Sequence, residues 1–478
     1  MKKRTHVEMR LSLFVLVVVV ALVAAACSSS GGNTTTTAGD TATTTTAGDT
    51  ATTTTAGDTA TTTTAASIPE MKADFGVDVE NKVITIGLLP DLTGVFATLA
   101  TDMVDGQIVY WDTLNADGGI DGWTVKYLIE DTNYNVEQYL QKYEKIRGEV
   151  VALSLSLGSP TTVAALPEMK ADNMLTIPLS WYSGWAIPSF DGGVTLEQNS
   201  NYCIEAMNIL DFINEMGGKT IAIATFPGDY GGDASAGVLK AAEFYGMEVV
   251  YDGTGNVIPG QDQTAVIQGI VGSGADWTFL TTNPSIGAEI LVGAVQAGYT
   301  GLFTGSVPTY DFRLLDSPAG PVYDKVFYQS SYSVGWGVDT PGNDEMMTAL
   351  AAAYPDRRPS DGFIIGWNEA VTMRKVLETA LANGDLTRAG VVAAGNSIET
   401  VDFGGTAPNQ SYAGTPNEYV QRKTAIWNPD LATYTAAGGA NQTMSQDGAT
   451  TGSLLEKDFF VGAAAAAFDF TEPCWTAG

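Results

Sequence analysis

One histidine, three cysteines and 23 basic residues against 54 acidic ones are the scarcities of this 478-residue chain. Each excludes something. The histidine, His6, lies in a basic and apolar leader, so a chain cut after residue 26 holds no imidazole. It then cannot assemble a Ser-His-Asp or Cys-His nucleophile pair, a His-ligated zinc site or a histidine proton shuttle. The same cut removes Lys2, Lys3, Arg4, Arg10 and Glu8, leaving 19 basic and 53 acidic residues and a charge near −34. Nucleic acid and anionic headgroups are captured by Lys/Arg neutralisation, so a surface this acidic excludes both. Neither a metal nor a cofactor is expected.

The leader reads as a signal peptide: a basic start, then apolar residues from Leu11 to Ala26 interrupted only by Ser12. About 16 residues fall short of the roughly 20 that span a bilayer. It ends Val23-Ala24-Ala25-Ala26-Cys27, which resembles a bacterial lipobox with Ala24 where Leu is more usual. Acylated Cys27 would anchor the protein to the outer face of the cytoplasmic membrane, each buried methylene contributing about 0.8 kcal/mol. Residues 27–80 then carry a nine-residue repeat, TTTTAGDTA, whose threonine blocks begin at Thr34, Thr43, Thr52 and Thr61. With no large apolar residue from Ser28 to Ser67, this stretch has nothing to bury and is expected to be a disordered spacer.

From Asn81 onward strands alternate with helices. Val83 to Leu89 is a continuous β-branched and apolar run, as in a strand covered on both faces. Val104, Ile108, Trp111 and Leu114 then mark one helix face. The alternation continues through strands at Trp123 to Glu130, Val150 to Leu157 and Met174 to Leu179, and restarts after Tyr202 with strands at Thr220 to Thr225, Met247 to Tyr251 and Trp277 to Thr281. Two such series predict an α/β chain with two doubly wound parallel-sheet lobes, and a ligand cleft beyond the carboxyl ends of their strands.

These segments resemble the leucine/isoleucine/valine-binding proteins, type I periplasmic solute-binding components of ABC transporters. IGLLPDLTGVFATLATDMVDGQIVYWDTLNADGGIDG (Ile86 to Gly122) is similar to that family's first strand, ligand loop, helix and glycine turn. YLIEDTNYNVEQ, GSPTT at Gly158 to Thr162, IPLSW at Ile177 to Trp181, and IAIATFPGDYGGDASAGVLKAAEFYGMEVV (Ile221 to Val250) follow in the family's order. The resemblance covers about Val83 to Asp430 and implies a three-strand hinge. It divides the chain into a first lobe of residues 81–202 plus 334–420 and a second of 203–333 plus 421–478. The tail beyond Gly438 exceeds the family pattern. Permease and ATPase subunits are the implied partners of a monomeric receptor.

The resemblance also implies the site. Ser159, Thr161 and Thr162 stand at a helix start, where hydroxyls and free amides can hold a carboxylate or amide oxygen, with Ser180 facing them; helix capping explains the same residues without a ligand. Trp181, Tyr182 and Phe96 are expected as an apolar wall, and Tyr230 as a ring closing from the second lobe. Asp229 and Asn283 are weaker members, each also ordinary cap or turn chemistry. Family members that hold amino acids place an acid in the loop after the strand near Leu302; here Val307 stands at the matching place. Either Asp311 or Asp229 substitutes, or the ligand carries no ammonium, leaving amino acids, amide or urea-like compounds and small carboxylates open. With Cys27 acylated, Cys203 and Cys474 remain an even pair in an oxidising compartment, as a disulfide or as two buried thiols. The other readings are a ligand sensor or cell-envelope receptor on the same fold, and an exported hydrolase working through paired carboxylates.

Overall fold

A computed structural model describes residues 71–476. The leader, Cys27 and the threonine repeat lie outside the described residues. Short β1 (Lys72–Ala73) and β2 (Val77–Asp78) lead into β3 (Val83–Leu89), β4 (Thr124–Ile129), β5 (Ala152–Leu157) and β6 (Leu175–Leu179). Strands β4-β3-β5-β6 lie side by side and parallel, with β2 antiparallel against the start of β3. Every residue of β5 and β6 is buried, which requires helices on both faces. Alternation along the strands feeds two cores: Leu89 and Leu153 meet Tyr139, Tyr143 and Met169, while Ile84, Ile86 and Leu88 meet Met103, Trp111 and Phe363.

The second of these cores depends on a close helix crossing. Helices Ala97–Ala116 and Asp361–Ala382 meet at glycines, where a Cβ on Gly366 would stand 1.8 Å from the Met103 carbonyl oxygen and one on Gly106 2.5 Å from that of Phe363. Residues remote in sequence thus complete the first lobe, because only hydrogen at these positions lets the backbones approach.

The second sheet holds β7 (Thr220–Thr225), β8 (Glu248–Gly253), β9 (Trp277–Thr281), β10 (Leu302–Gly305) and β11 (Phe327–Ser331), all parallel in the order β8-β7-β9-β10-β11. A two-residue β12 (Asp385–Leu386) pairs with β1. The alternation predicts parallel strands alone, yet β13 (Thr424–Pro429) and β14 (Ser453–Phe460) extend this sheet antiparallel. The chain reaches β13 from the first lobe and not over a helix on this sheet, and passes from β13 to β14 through the short helix Leu431–Ala436 and a loop. The tail of unexplained length therefore becomes an edge strand.

Three passages join the lobes. Leu196 N–H still donates to Thr176 beside the first sheet, whereas the helix Tyr202–Glu215 packs on Gly228–Tyr245 of the second lobe. Strand β11 ends at Ser331, and Val334 N–H donates to Thr406 beside the first lobe. Val401 pairs with Gln410 before β13 enters the second sheet. The chain's end touches both lobes. Cys474 is joined to Cys203 by a disulfide, while the Trp475 carbonyl accepts the Tyr182 hydroxyl at 2.8 Å.

Candidate functional site: the cleft between the lobes

Loop chemistry carries each first-lobe wall residue to the cleft. The buried Asp91 carboxylate accepts the Gly94 and Phe96 N–H groups, and Asp131 takes the Leu92 N–H at 2.9 Å and the Thr93 hydroxyl at 2.7 Å. This folded loop sets Phe96 at the cap of helix Ala97–Ala116, its ring 4.8 Å from Tyr134 and 6.3 Å from Tyr230. Gly158 has φ +97°, and a Cβ there would meet the Tyr134 ring at 2.6 Å, so glycine alone serves. It opens the helix Ser159–Asp172, whose first turn leaves amides without intrahelical partners. Ser159 Oγ is buried and has no hydrogen-bond partner. Trp181, after β6, lies 4.9 Å from Tyr332 and 6.0 Å from Tyr202.

The second lobe supplies the opposite wall. Tyr230 sits in the first turn of helix Gly228–Tyr245; its hydroxyl donates to the Thr282 carbonyl at 2.9 Å and lies 2.8 Å from Ser306 Oγ. Its ring packs 4.7 Å from Tyr202. Tyr310, Asp311 and Phe312 follow β10, and Gln329 and Ser331 come from β11. With Asp361, these groups enclose a cavity of about 840 Å³, its mouth included.

Of the residues expected from the sequence, Phe96, Ser159, Ser180, Trp181, Tyr230 and Asp311 line this cavity together. Five do not. Thr161 Oγ1 turns back onto the Leu157 and Gly158 carbonyls, and Thr162 Oγ1 meets Ser156 Oγ at 2.7 Å under the sheet. Thr161, two helical steps on, points about 200° from Ser159 and so faces the core, whereas Thr162, only about 60° from Ser159, is drawn under the sheet by Ser156. Tyr182 packs edge-to-face with Trp185 and Phe190 and reaches Trp475 instead. Asp229 lies on the first turn of its helix and off the cavity wall. Asn283 caps the helix Pro284–Gln296 through Ile286 N–H, while its amide donates to the Val95 carbonyl of the other lobe at 3.2 Å.

Charge in the cleft is one-sided, since no Lys or Arg lines it. Asp311 is already engaged. It pairs with Arg313 at 3.0 Å, and burial raises its carboxyl while that guanidinium opposes the rise. Asp361, which nothing in the family resemblance indicated, is the freer acid. It accepts the Trp336 N–H at 2.7 Å and the Thr451 hydroxyl at 3.0 Å, and burial pushes it up to about 6 against those two donors. Sequence reading also missed Tyr134, Tyr202, Tyr310 and Phe312. The available signal for Asp361 was Ser360 before an apolar run, an N-cap pattern that marks a helix start and hence a site of free amides. Beneath the cleft Glu205 gathers Ser330 Oγ, the Tyr332 hydroxyl and Val307 N–H at 2.6–2.8 Å. Burial lifts it to about 7 against these donors. It thereby ties the second passage between lobes to the loop after β10.

Two doubly wound lobes, a hinge of three strands and an aromatic cleft between them define a type I solute-binding protein. The periplasmic binding protein family model matches residues 83–422, and the chain belongs to that family. A second match, to the new glue protein family over residues 9–83, falls on the leader and threonine repeat. A search of curated proteins finds no match. Among solved structures, a fatty acid ABC transporter substrate-binding protein from Thermomonospora curvata is 25% identical with a TM-score of 0.74, covering 83% of this chain and 97% of that one. A branched chain amino acid ABC transporter from Thermus thermophilus with bound valine is 17% identical, with a TM-score of 0.66 over 80% of this chain and 98% of that chain. A solute binding protein from R. palustris in complex with benzoate is 15% identical, with a TM-score of 0.63 over 80% and 99%. The family implies an extracytoplasmic, solute-carrying role alongside permease and ATPase components. Among the described residues no helix is long and apolar enough to cross a membrane, and no three His, Cys, Asp or Glu could hold a metal.

Proposed function

We propose that this protein is a monomeric solute receptor of an ABC importer, tethered to the outer face of the cytoplasmic membrane by acyl chains on Cys27 and a threonine-rich spacer. Its lobes, residues 81–202 plus 334–420 and 203–333 plus 421–478, close on a small polar solute and release it chemically unchanged. The observation that carries this reading is a single cavity walled by both lobes, with the unpartnered Ser159 hydroxyl at a helix N-terminus in its wall. That end suits a carboxylate or amide oxygen, and the rings of Phe96, Trp181 and Tyr230 suit an apolar body. Asp361 has no cationic neighbour on the cavity wall. A solute that offers it a hydrogen-bond donor, an amino acid or an amide or urea-like compound, is favoured over a bare carboxylate, which would meet like charge there.

Calorimetric titration of the mature protein with valine, an aliphatic amide, urea, benzoate and a fatty acid tests this. Binding by at least one donor-bearing solute, weakened about tenfold by Ser159→Ala, is expected. Binding that is indifferent to Ser159→Ala, or absent from the whole panel, would overturn the reading. Loss of palmitate labelling in Cys27→Ser tests the anchor separately.

A further inference from the structure

A second, smaller cavity lies apart from the solute cleft, walled by residues between Trp185 and Glu197 and between Asn396 and Tyr419. Both stretches run up to passages between the lobes. They are tied together by the Tyr419 hydroxyl, which donates to the Ala186 carbonyl at 2.7 Å, and by Asn199 N–H, which donates to Gln410 Oε1 at 3.2 Å.

Two acids face this cavity, and their surroundings differ. Asp191 is satisfied: Oδ1 accepts the Gly193 N–H, and Oδ2 accepts both the N–H and the hydroxyl of Thr195. Glu197 is 4% exposed, and its Oε2 receives one long contact, 3.4 Å from Asn201 Nδ2. Its Oε1 has no partner. Tyr412, 5% exposed on the same wall, also keeps an unpartnered hydroxyl. No Lys or Arg lines the cavity. The charged and titratable groups around Glu197 are Asp191, Tyr412 and Tyr419 on its own lobe, with the buried acid Glu369 near Tyr412, and Asp233 from the second lobe. Burial raises Glu197 well above the ordinary carboxylate range, Asn201 opposes this, and Asp233 and Asp191 add to it.

A buried carboxylate with half its oxygens bare is costly unless something positive meets it. The walls present oxygen and no cation. We infer that this cavity binds a small monovalent cation, an alkali-metal ion or ammonium, between the Glu197 carboxylate and the Tyr412 hydroxyl oxygen. A calcium ion would ask for six to eight oxygens, several from carboxylates; no group of three acids is available among the described residues. The bound ion joins the stretch before the first passage to the stretch before the third, so it stiffens the hinge. A proton on Glu197 is its competitor, and occupancy falls as the pH is lowered.

Thermal unfolding of the mature chain in sodium, potassium or ammonium chloride, against choline chloride at equal ionic strength, tests the site. Choline matches the ionic strength but is too large to enter. At least one small cation is expected to raise Tm by a few degrees in a saturable way. The increment should vanish in Glu197→Gln and saturate at higher concentration in Tyr412→Phe. Equal Tm in all four chlorides, or the same increment in Glu197→Gln, would overturn the proposal. If Glu197→Gln fails to fold, crystals soaked in rubidium chloride decide: an anomalous peak beside Glu197 Oε1 supports the site, and ordinary water density there refutes it.

Discussion

Arg313 on the second lobe donates to Asp102 on the first at 2.6 Å, beside the cleft lined by Met103, Asp311 and Phe312. The second Asp102 oxygen takes Arg357 Nη2 at 2.9 Å, so the acid is held from within its own lobe as well. The Arg313 contact forms across the cleft and stabilises the closed arrangement over any opened one. Arg313 is 29% exposed, so solvent screens the pair and its contribution is about 1 kcal/mol. Arg313→Ala is therefore expected to speed solute dissociation by roughly fivefold, and also to lower the denaturant midpoint, because Asp102 keeps Arg357 while buried Asp311 loses its cation. Surface plasmon resonance and urea titration of the same variant check both halves.

The Cys203–Cys474 bond closes a span of 271 residues and draws the tail against Ser183, whose Oγ accepts the Cys474 N–H at 2.8 Å. A Cβ on Gly232 would run into the Trp475 ring at 2.4 Å, so the indole sits tightly over that helix. Cross-linking so long a span restricts the unfolded chain, by several kcal/mol in the chain-entropy account. Cys474→Ser is expected to lower Tm by several degrees. It should also expose the segment after Phe470 to carboxypeptidase, read by intact mass.

Two buried acids set a pH dependence. Burial lifts Asp233, against the Ser183 hydroxyl and N–H that hold it down, to about 7, and Glu205 also to about 7. Their unfolded values lie near 4, so between about pH 4 and 7 the folded protein binds more protons than the unfolded chain. Their stabilisation is complete below that window and is lost as pH rises through 7. Tm should thus fall from mildly acidic to neutral pH, and Asp233→Asn should flatten the fall. Calorimetric scans across this range suffice, and a Tm that climbs instead would refute the assignment.

Gly366→Ala places a methyl 1.8 Å from the Met103 carbonyl, a backbone atom that cannot rotate away. Overpacking of this kind costs about 1–3 kcal/mol. The denaturant midpoint should drop with an unchanged m-value, whereas Gly384→Ala, which meets no atom within 4 Å, should cost less despite its φ of +69°.

Much of this molecule was written locally. Apolar runs such as Val83–Leu89 and Trp277–Thr281 can be covered only from both faces, and the helix faces between them recur every three or four residues, so alternating strands and helices followed from short-range pattern alone. The acidic balance and the single histidine narrowed the chemistry to be expected. The tertiary structure decided what no local pattern encodes. It chose Ser159 over Thr161 and Thr162 as the hydroxyl in the cleft, because two helical steps turn Thr161 to the core and Ser156 holds Thr162 under the sheet. It brought Asp361 to the same cavity as Tyr230, and Cys474 to Cys203, across separations that periodicity does not span. It also turned β13 and β14 antiparallel, since strand direction there depends on how the chain re-enters the sheet and not on the residues of either strand.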